Sequence, residues 1–398
     1  MTWYVTPTTV RILNFLGNGV DAVGLGPRLT PAALEARARR KAGLSDLGDG
    51  AHSQPLALLC RSFTEDAHLS FFGRIIAQEL LTSALVTRLR LQKLRADADP
   101  RLETPLNRPI IVLGLPRSGT TLLHRFLAEQ PGLRPLRTWE LSELLPPPST
   151  PPARIKRDAR AKIGVIRQLA PELDIKHLFG ADEPEEEVSL LDASFWTPTF
   201  WRFGMITRYQ DWYLRQDPRP GYAVYTQMLR VLQSQDPSRR FILKMPNHTG
   251  YVDTIKELMP EAVLIHPHRD PRPVVASYAS LMRSVHRIAA VRWDPAEGGR
   301  QTLRLWAHHA RRNLQARDHL DDGDILDVRF TDLLSDLSGA MRRILAHADL
   351  PIPTDLDAQA ARHQDRRGPK HLYALGDYGL TGEQVDAEFA AYRDAFLC

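Results

Sequence analysis

The sequence predicts an α/β fold: a central parallel sheet covered by helices on both faces, joined to a helical N-terminal region. Three observations carry this. Four short apolar runs, Arg108–Gly114, Phe241–Met245, Ala262–His268 and Asp324–Phe330, have the length of strands. They are apolar along most of their length rather than alternating, as strands buried on both faces must be. Segments with helical composition stand between the last three, near 250–259, 273–290 and 300–319, and strand–helix alternation is the signature of parallel pairing.

The elements follow in order. Residues 1–105 read as a helical region packed on the core. Pro31–Gly43 has helix-forming composition closed by a glycine, and Leu81, Leu85 and Leu89 mark one face of a longer helix. Residues 106–398 read as the α/β domain, with a helical insertion at about 145–235. In it, Arg108–Gly114 is the first strand and Thr121–Gln130 the helix after it, ended by Pro131-Gly132. The prolines of Leu145–Pro152 force an extended loop. No internal repeat is visible.

At 398 residues, 43% hydrophobic and 25% charged, the chain has the composition of an ordinary globular protein. Its 52 basic and 47 acidic residues leave a net charge of +5, scattered rather than striped. That suits an anionic small ligand and does not favour nucleic acid. Cys60 and Cys398 make no disulfide framework, so a reducing, cytoplasmic setting is expected. Val10–Gly26 is broken by Asn14, Asn18 and Asp21, which favours neither a secretion signal nor a membrane span. A short amphipathic helix there either packs on the domain or touches a membrane or an apolar substrate.

Gly114-Leu-Pro-Arg-Ser-Gly-Thr-Thr121 lies between a predicted strand and a predicted helix, the setting in which backbone N–H groups meet a phosphate. Its spacing is that of a P-loop, but Thr120 stands where a triphosphatase needs lysine. Arg117, Ser118, Thr120 and Thr121, around Gly119, still offer a guanidinium, hydroxyls and amides to an anion. In Leu264–Tyr278, Arg269 ends a strand and Ser277 follows in the first turns of the next helix. The two are placed to hold one phosphate between them. Lys244, at another strand end, points into the crevice where open α/β sheets bind ligands.

Pro116-Arg-Ser-Gly-Thr-Thr-Leu-Leu123 resembles the 5′-phosphosulfate loop of sulfotransferases that use 3′-phosphoadenosine-5′-phosphosulfate (PAPS), above all the bacterial group carrying Pro-Arg-Ser-Gly-Thr-Thr. Arg269 and Ser277 resemble that family's 3′-phosphate site. The resemblance extends over nearly all of residues 30–398. It implies a P-loop-type three-layer α/β/α fold and PAPS as donor co-substrate, without a metal. It implies transfer of a sulfuryl group to a hydroxyl, or less readily an amine, of a small or lipid-like acceptor. Lys244, in Leu243-Lys-Met-Pro-Asn-His248, is similar to the family's donor-contacting lysine, with Met245 in place of the usual serine. Two residues compete as general base. Glu140, in Arg137–Leu141, corresponds to a glutamate of related sulfotransferases, and His248 has the titration range for proton removal. Lys370 lies in a segment similar to the family's C-terminal segment and is implied to help hold the 3′-phosphate.

His177–Glu187, which ends in the acidic run Asp182–Glu187, is similar to a signature of the same group, but no chemistry follows from it. Trp196, Phe200, Trp201, Phe203, Tyr209, Trp212 and Tyr213 line either an acceptor pocket or the core. The oligomeric state is not legible. Rival readings are a P-loop kinase or hydrolase and a non-catalytic nucleotide-binding relative. The first lacks a lysine at position 120; the second leaves Glu140, Lys244 and His248 without a purpose.

Overall fold

The protein is described from a computed structural model, which covers residues 8–169, 180–365 and 373–397. Ile110–Val112 (β1), Leu133–Pro135 (β2), Arg240–Lys244 (β3), Val263–His268 (β4) and Ile325–Arg329 (β5) form one five-stranded sheet in the order β2-β3-β1-β4-β5. Every pairing is parallel. β1 is central: Val112 is level with Lys244 on one side and with Ile265 on the other. The strand not foreseen is β2. It is three residues long and contains Pro135, which a sheet tolerates here because β2 is an edge.

Successive residues of β1 face opposite sides, and the core divides accordingly. Ile110 and Val112 join Leu123, Phe126 and Leu127 of the helix Thr120–Ala128, backed by Met341 and Ile344. Ile111 joins the larger cluster, which also holds Leu81, Leu85 and Leu89 of the helix Phe71–Ala96. The N-terminal helices therefore share the core of the sheet. Thr30 caps the helix Pro31–Ala42 by accepting from the Ala33 amide, and Gly43 closes it at φ 66°. Ser70 caps the helix Phe71–Ala96, while its own amide donates to the Ala289 carbonyl at 2.8 Å.

Between β2 and β3 lie the helices Pro152–Leu169, Val188–Asp192, Thr207–Tyr213 and Arg219–Gln233. After β4 come the long helices Pro271–Ala289 and Pro295–Arg317. The helix Thr8–Ala22 rests on Phe71–Ala96, where Asn14 accepts from the Phe72 amide at 2.9 Å. Its Ile12, Leu13, Phe15 and Leu16 face outward. Among the described residues no helix is long and apolar enough to cross a membrane.

His124 and His286 are buried inside this frame, each against a backbone carbonyl, of Ile242 and Trp201 respectively. Burial, and for His124 the Lys244 charge as well, pulls both imidazoles down to about 4. An unfolded chain takes up these protons near 6.5, the folded one only near 4. Their stabilising contribution is thus complete above pH 6.5 and is lost as the pH falls toward 4. The thermal midpoint should drop through that window; a midpoint that stays level from pH 6.5 to 4.5 contradicts the account.

Candidate functional site

The loop after β1 is shaped by two glycines and by the neighbouring strand ends. Gly114 has φ 117°, and a Cβ there would stand 2.8 Å from the Pro267 carbonyl, a backbone atom that cannot yield. Its amide donates to Thr249 Oγ1 at 2.7 Å. Gly119, at φ 100°, precedes the helix Thr120–Ala128, whose start carries no side-chain cap. Its leading N–H groups therefore face the crevice without an internal side-chain acceptor. Arg117 adopts φ 68°, a left-handed conformation unusual for a side-chain-bearing residue. Arg117 and Thr121 are exposed, whereas Ser118 and Thr120 are buried, and the Ser118 hydroxyl donates to the Leu115 carbonyl at 2.6 Å.

Arg269, directly after β4, leans over this loop. Its Nη1 donates to the Arg117 carbonyl at 2.6 Å, and its guanidinium lies 4.2 Å from the Phe330 ring centre, just past β5. Burial and the Arg117 charge both disfavour its protonated form. Among the described residues no carboxylate forms an ion pair with it. Ser277 is buried on the helix Pro271–Ala289 that Arg269 leads into. Two guanidiniums drawn together, one half-desolvated, make a crevice that favours an anion.

Lys244 ends β3 and is 2% exposed. Its ammonium donates to Glu186 Oε1 at 2.5 Å, and its amide to Glu187 Oε2 at 3.1 Å. The acidic run reaches this place because its backbone is tied to the chain after β2. The Trp139 amide donates to Ala181, that of Thr138 to Glu183, and that of Glu185 to Leu136. Glu187 is fully buried. It accepts from His248 Nε2 at 3.1 Å and from the Tyr225 hydroxyl at 3.3 Å. Burial works against its charge, but the hydrogen bond and charge of His248 and the Lys244 amide outweigh burial, and the carboxyl stays below its ordinary range. His248 Nδ1 meets the Tyr222 hydroxyl at 2.7 Å, so both ring nitrogens have protein partners and the residue is fully buried.

Glu140 lies on the short helix Thr138–Ser142 after β2. One oxygen accepts from Arg134 Nη2 at 2.6 Å and the other from the Arg137 amide at 2.9 Å, closing a capping box on the helix Thr138–Ser142. Lys370 lies outside the described residues. Of the aromatic stretch, Phe200, Trp201, Tyr209 and Tyr213 belong to the buried core, while Trp196, Phe203 and Trp212 are half-buried. His266, His268 and Asp327 present ligand atoms within 4.8 Å of one another, but Arg317 already holds Asp327 and His266. A cation is disfavoured beside that guanidinium. Sequence reasoning missed Glu186 and Glu187, whose only signal was the acidic run itself.

A profile described as the Sulfotransferase family matches residues 109–354, more than half of the chain. The omega-hydroxy-beta-dihydromenaquinone-9 sulfotransferase Stf3 of Mycobacterium bovis is 27% identical over 159 residues, 39% of this chain and 40% of that protein. The match thus spans well under half the length of that relative. The crystal structure of sulfotransferase STF1 from Mycobacterium tuberculosis H37Rv superposes with a TM-score of 0.78 at 28% identity, covering 92% of this chain and 99% of that one. Sulfotransferase STF9 from Mycobacterium avium gives 0.81 at 28% identity, covering 92% and 97%.

Glu187 satisfies three donors that would otherwise be buried without a partner. Glu187→Ala should destabilise the fold by about 3–5 kcal/mol in denaturant unfolding; a loss below about 1 kcal/mol contradicts the buried network.

Proposed function

Because the chain belongs to the sulfotransferase family, we propose that it transfers a sulfuryl group from PAPS to the hydroxyl of an apolar small molecule. The observation that carries this reading is the contact of Arg269 with the Arg117 carbonyl. It brings together two chain segments remote in sequence, which in this reading supply anion-binding groups to both ends of one nucleotide, with no lysine at position 120 for a triphosphate.

In this reading the 5′ end of the donor lies on the loop Gly114–Thr121. The amides at the start of the helix Thr120–Ala128, the Thr120 and Thr121 hydroxyls and the Arg117 guanidinium hold it there. Ser118, whose hydroxyl and amide both donate to the Leu115 carbonyl, contributes the shape of the turn, as does Gly119. Arg269 and Ser277 take the 3′-phosphate, with Lys370 assigned to the same phosphate by the family resemblance. Lys244 neutralises the oxygen that leaves when sulfur is transferred. The transfer is then mainly a matter of holding donor and acceptor in line and stabilising departing charge.

The matched relative is named for a hydroxylated menaquinone, a long apolar molecule ending in an alcohol. An acceptor of that general kind is consistent with the half-buried Trp196, Phe203 and Trp212. Two cysteines in the whole chain, of which Cys60 is buried and free, suit the reducing cytoplasm.

Adenosine 3′,5′-bisphosphate (PAP), the desulfated donor, should raise the thermal midpoint, equivalent to about 2.7 kcal/mol at a hundredfold excess over its Kd. ATP at the same concentration should do far less. Arg269→Ala should abolish most of the PAP shift while leaving the ligand-free midpoint nearly unchanged. Equal protection by ATP, or an undiminished shift in the variant, contradicts the reading.

A further inference from the structure

Resting on that reading, one step has no owner: removal of the proton from the acceptor hydroxyl. His248 is sealed in the core with both nitrogens engaged, and Glu140 has both oxygens held by Arg134 and by the Arg137 amide. Neither presents a free basic atom to a crevice. The position immediately beyond Lys244 along the strand exit offers only Met245 and Pro246, which carry no base.

Glu186 differs from all of these. Its carboxylate touches the Lys244 ammonium, and its side chain keeps 27% of its surface accessible while Lys244 keeps 2%. Of the two, the carboxylate is the one that solvent or a ligand reaches. The groups facing it are Lys244 from β3 and Tyr278 from the helix Pro271–Ala289, while the Glu186 amide donates to Glu185 Oε1 at 2.8 Å. Its other oxygen has no described partner that closes it off. The backbone ties between 181–185 and 136–139 hold this carboxylate in place without using it.

We propose that Glu186 is the catalytic base, and that Lys244 guards it until the donor arrives. With the crevice free of donor, the ammonium is paired with the carboxylate and occupies the oxygen it touches. When PAPS binds, its phosphosulfate draws Lys244 toward the oxygen between phosphorus and sulfur, and the carboxylate is released toward the acceptor. The acceptor O–H bond then breaks, its proton passing to Glu186. The oxygen's electron pair forms the new O–S bond, and the bond from sulfur to the phosphate oxygen breaks. Its electron pair stays on that oxygen, beside Lys244. The products are a sulfate ester, PAP and a protonated Glu186, which returns its proton to water. Release of the base is thus coupled to donor binding, and while the donor is absent the carboxylate stays engaged by Lys244.

Two readouts on Glu186→Gln test this, with Glu186→Asp as the conservative variant. Calorimetric titration with PAP should show binding several-fold tighter than wild type, because Lys244 no longer has a competing carboxylate. Transfer of labelled sulfate from PAPS to geranylgeraniol or 2-naphthol should fall roughly 10²-fold or more in kcat, with KM for PAPS not raised. Glu186→Asp should recover part of the rate, and the acid limb of the kcat–pH profile should vanish in Glu186→Gln. Unchanged or weaker PAP binding in a folded Glu186→Gln, or turnover within about twofold of wild type, overturns the assignment. Wild-type protein that binds no PAP overturns instead the donor reading on which it rests.

Discussion

The site depends on one geometric constraint, the parallel register of three adjacent strands. β1 contributes only three residues, yet it pairs on both sides and sets Lys244 level with its own last residue. Three chain segments therefore leave the sheet at the same edge: the glycine loop, the Lys244 turn and the Arg269 turn. A shift of one residue in β3 would exchange the faces of its side chains and turn Lys244 away from its place. Gly114 makes the arrangement sterically feasible, because only a hydrogen fits against the Pro267 carbonyl at that point.

Electrostatics then give this edge its character. Burial and the nearby Arg117 charge both disfavour the protonated form of Arg269. A fold that holds like charges together in a partly dry crevice gains from an anion there more than from any neutral ligand. On the other flank the cation is balanced internally. Glu186 takes the Lys244 ammonium, while Glu187 gathers the Lys244 amide, His248 and Tyr225 into a buried cluster. Adjacent glutamates thus divide two tasks, one structural and one exposed to the site.

Much of this was legible in the chain itself. Four strands and the strand–turn–helix setting of the Gly114–Thr121 loop are local patterns, and local patterns survive translation into structure. The strand Leu133–Pro135 was not legible, since a three-residue edge containing proline carries no periodic signal. The same holds for the partners of the acidic run. Glu186 and Glu187 meet Lys244 across more than fifty residues, through backbone ties that no sequence pattern announces. His248 illustrates the converse. A histidine beside a strand-end lysine reads as a base, but its burial against Tyr222 and Glu187 is a property of the packed insertion. Glu140 likewise reads as a base by likeness, and is found capping a short helix and pairing with Arg134.

The central claim, that the clusters around Arg117 and Arg269 share one doubly phosphorylated adenosine, is met most directly by a crystal structure with PAP bound. The account predicts the 5′-phosphate on the amides of the Gly114–Thr121 loop and the 3′-phosphate between Arg269 and Ser277. A nucleotide bound elsewhere, or lying with its 3′-phosphate away from Arg269, contradicts it.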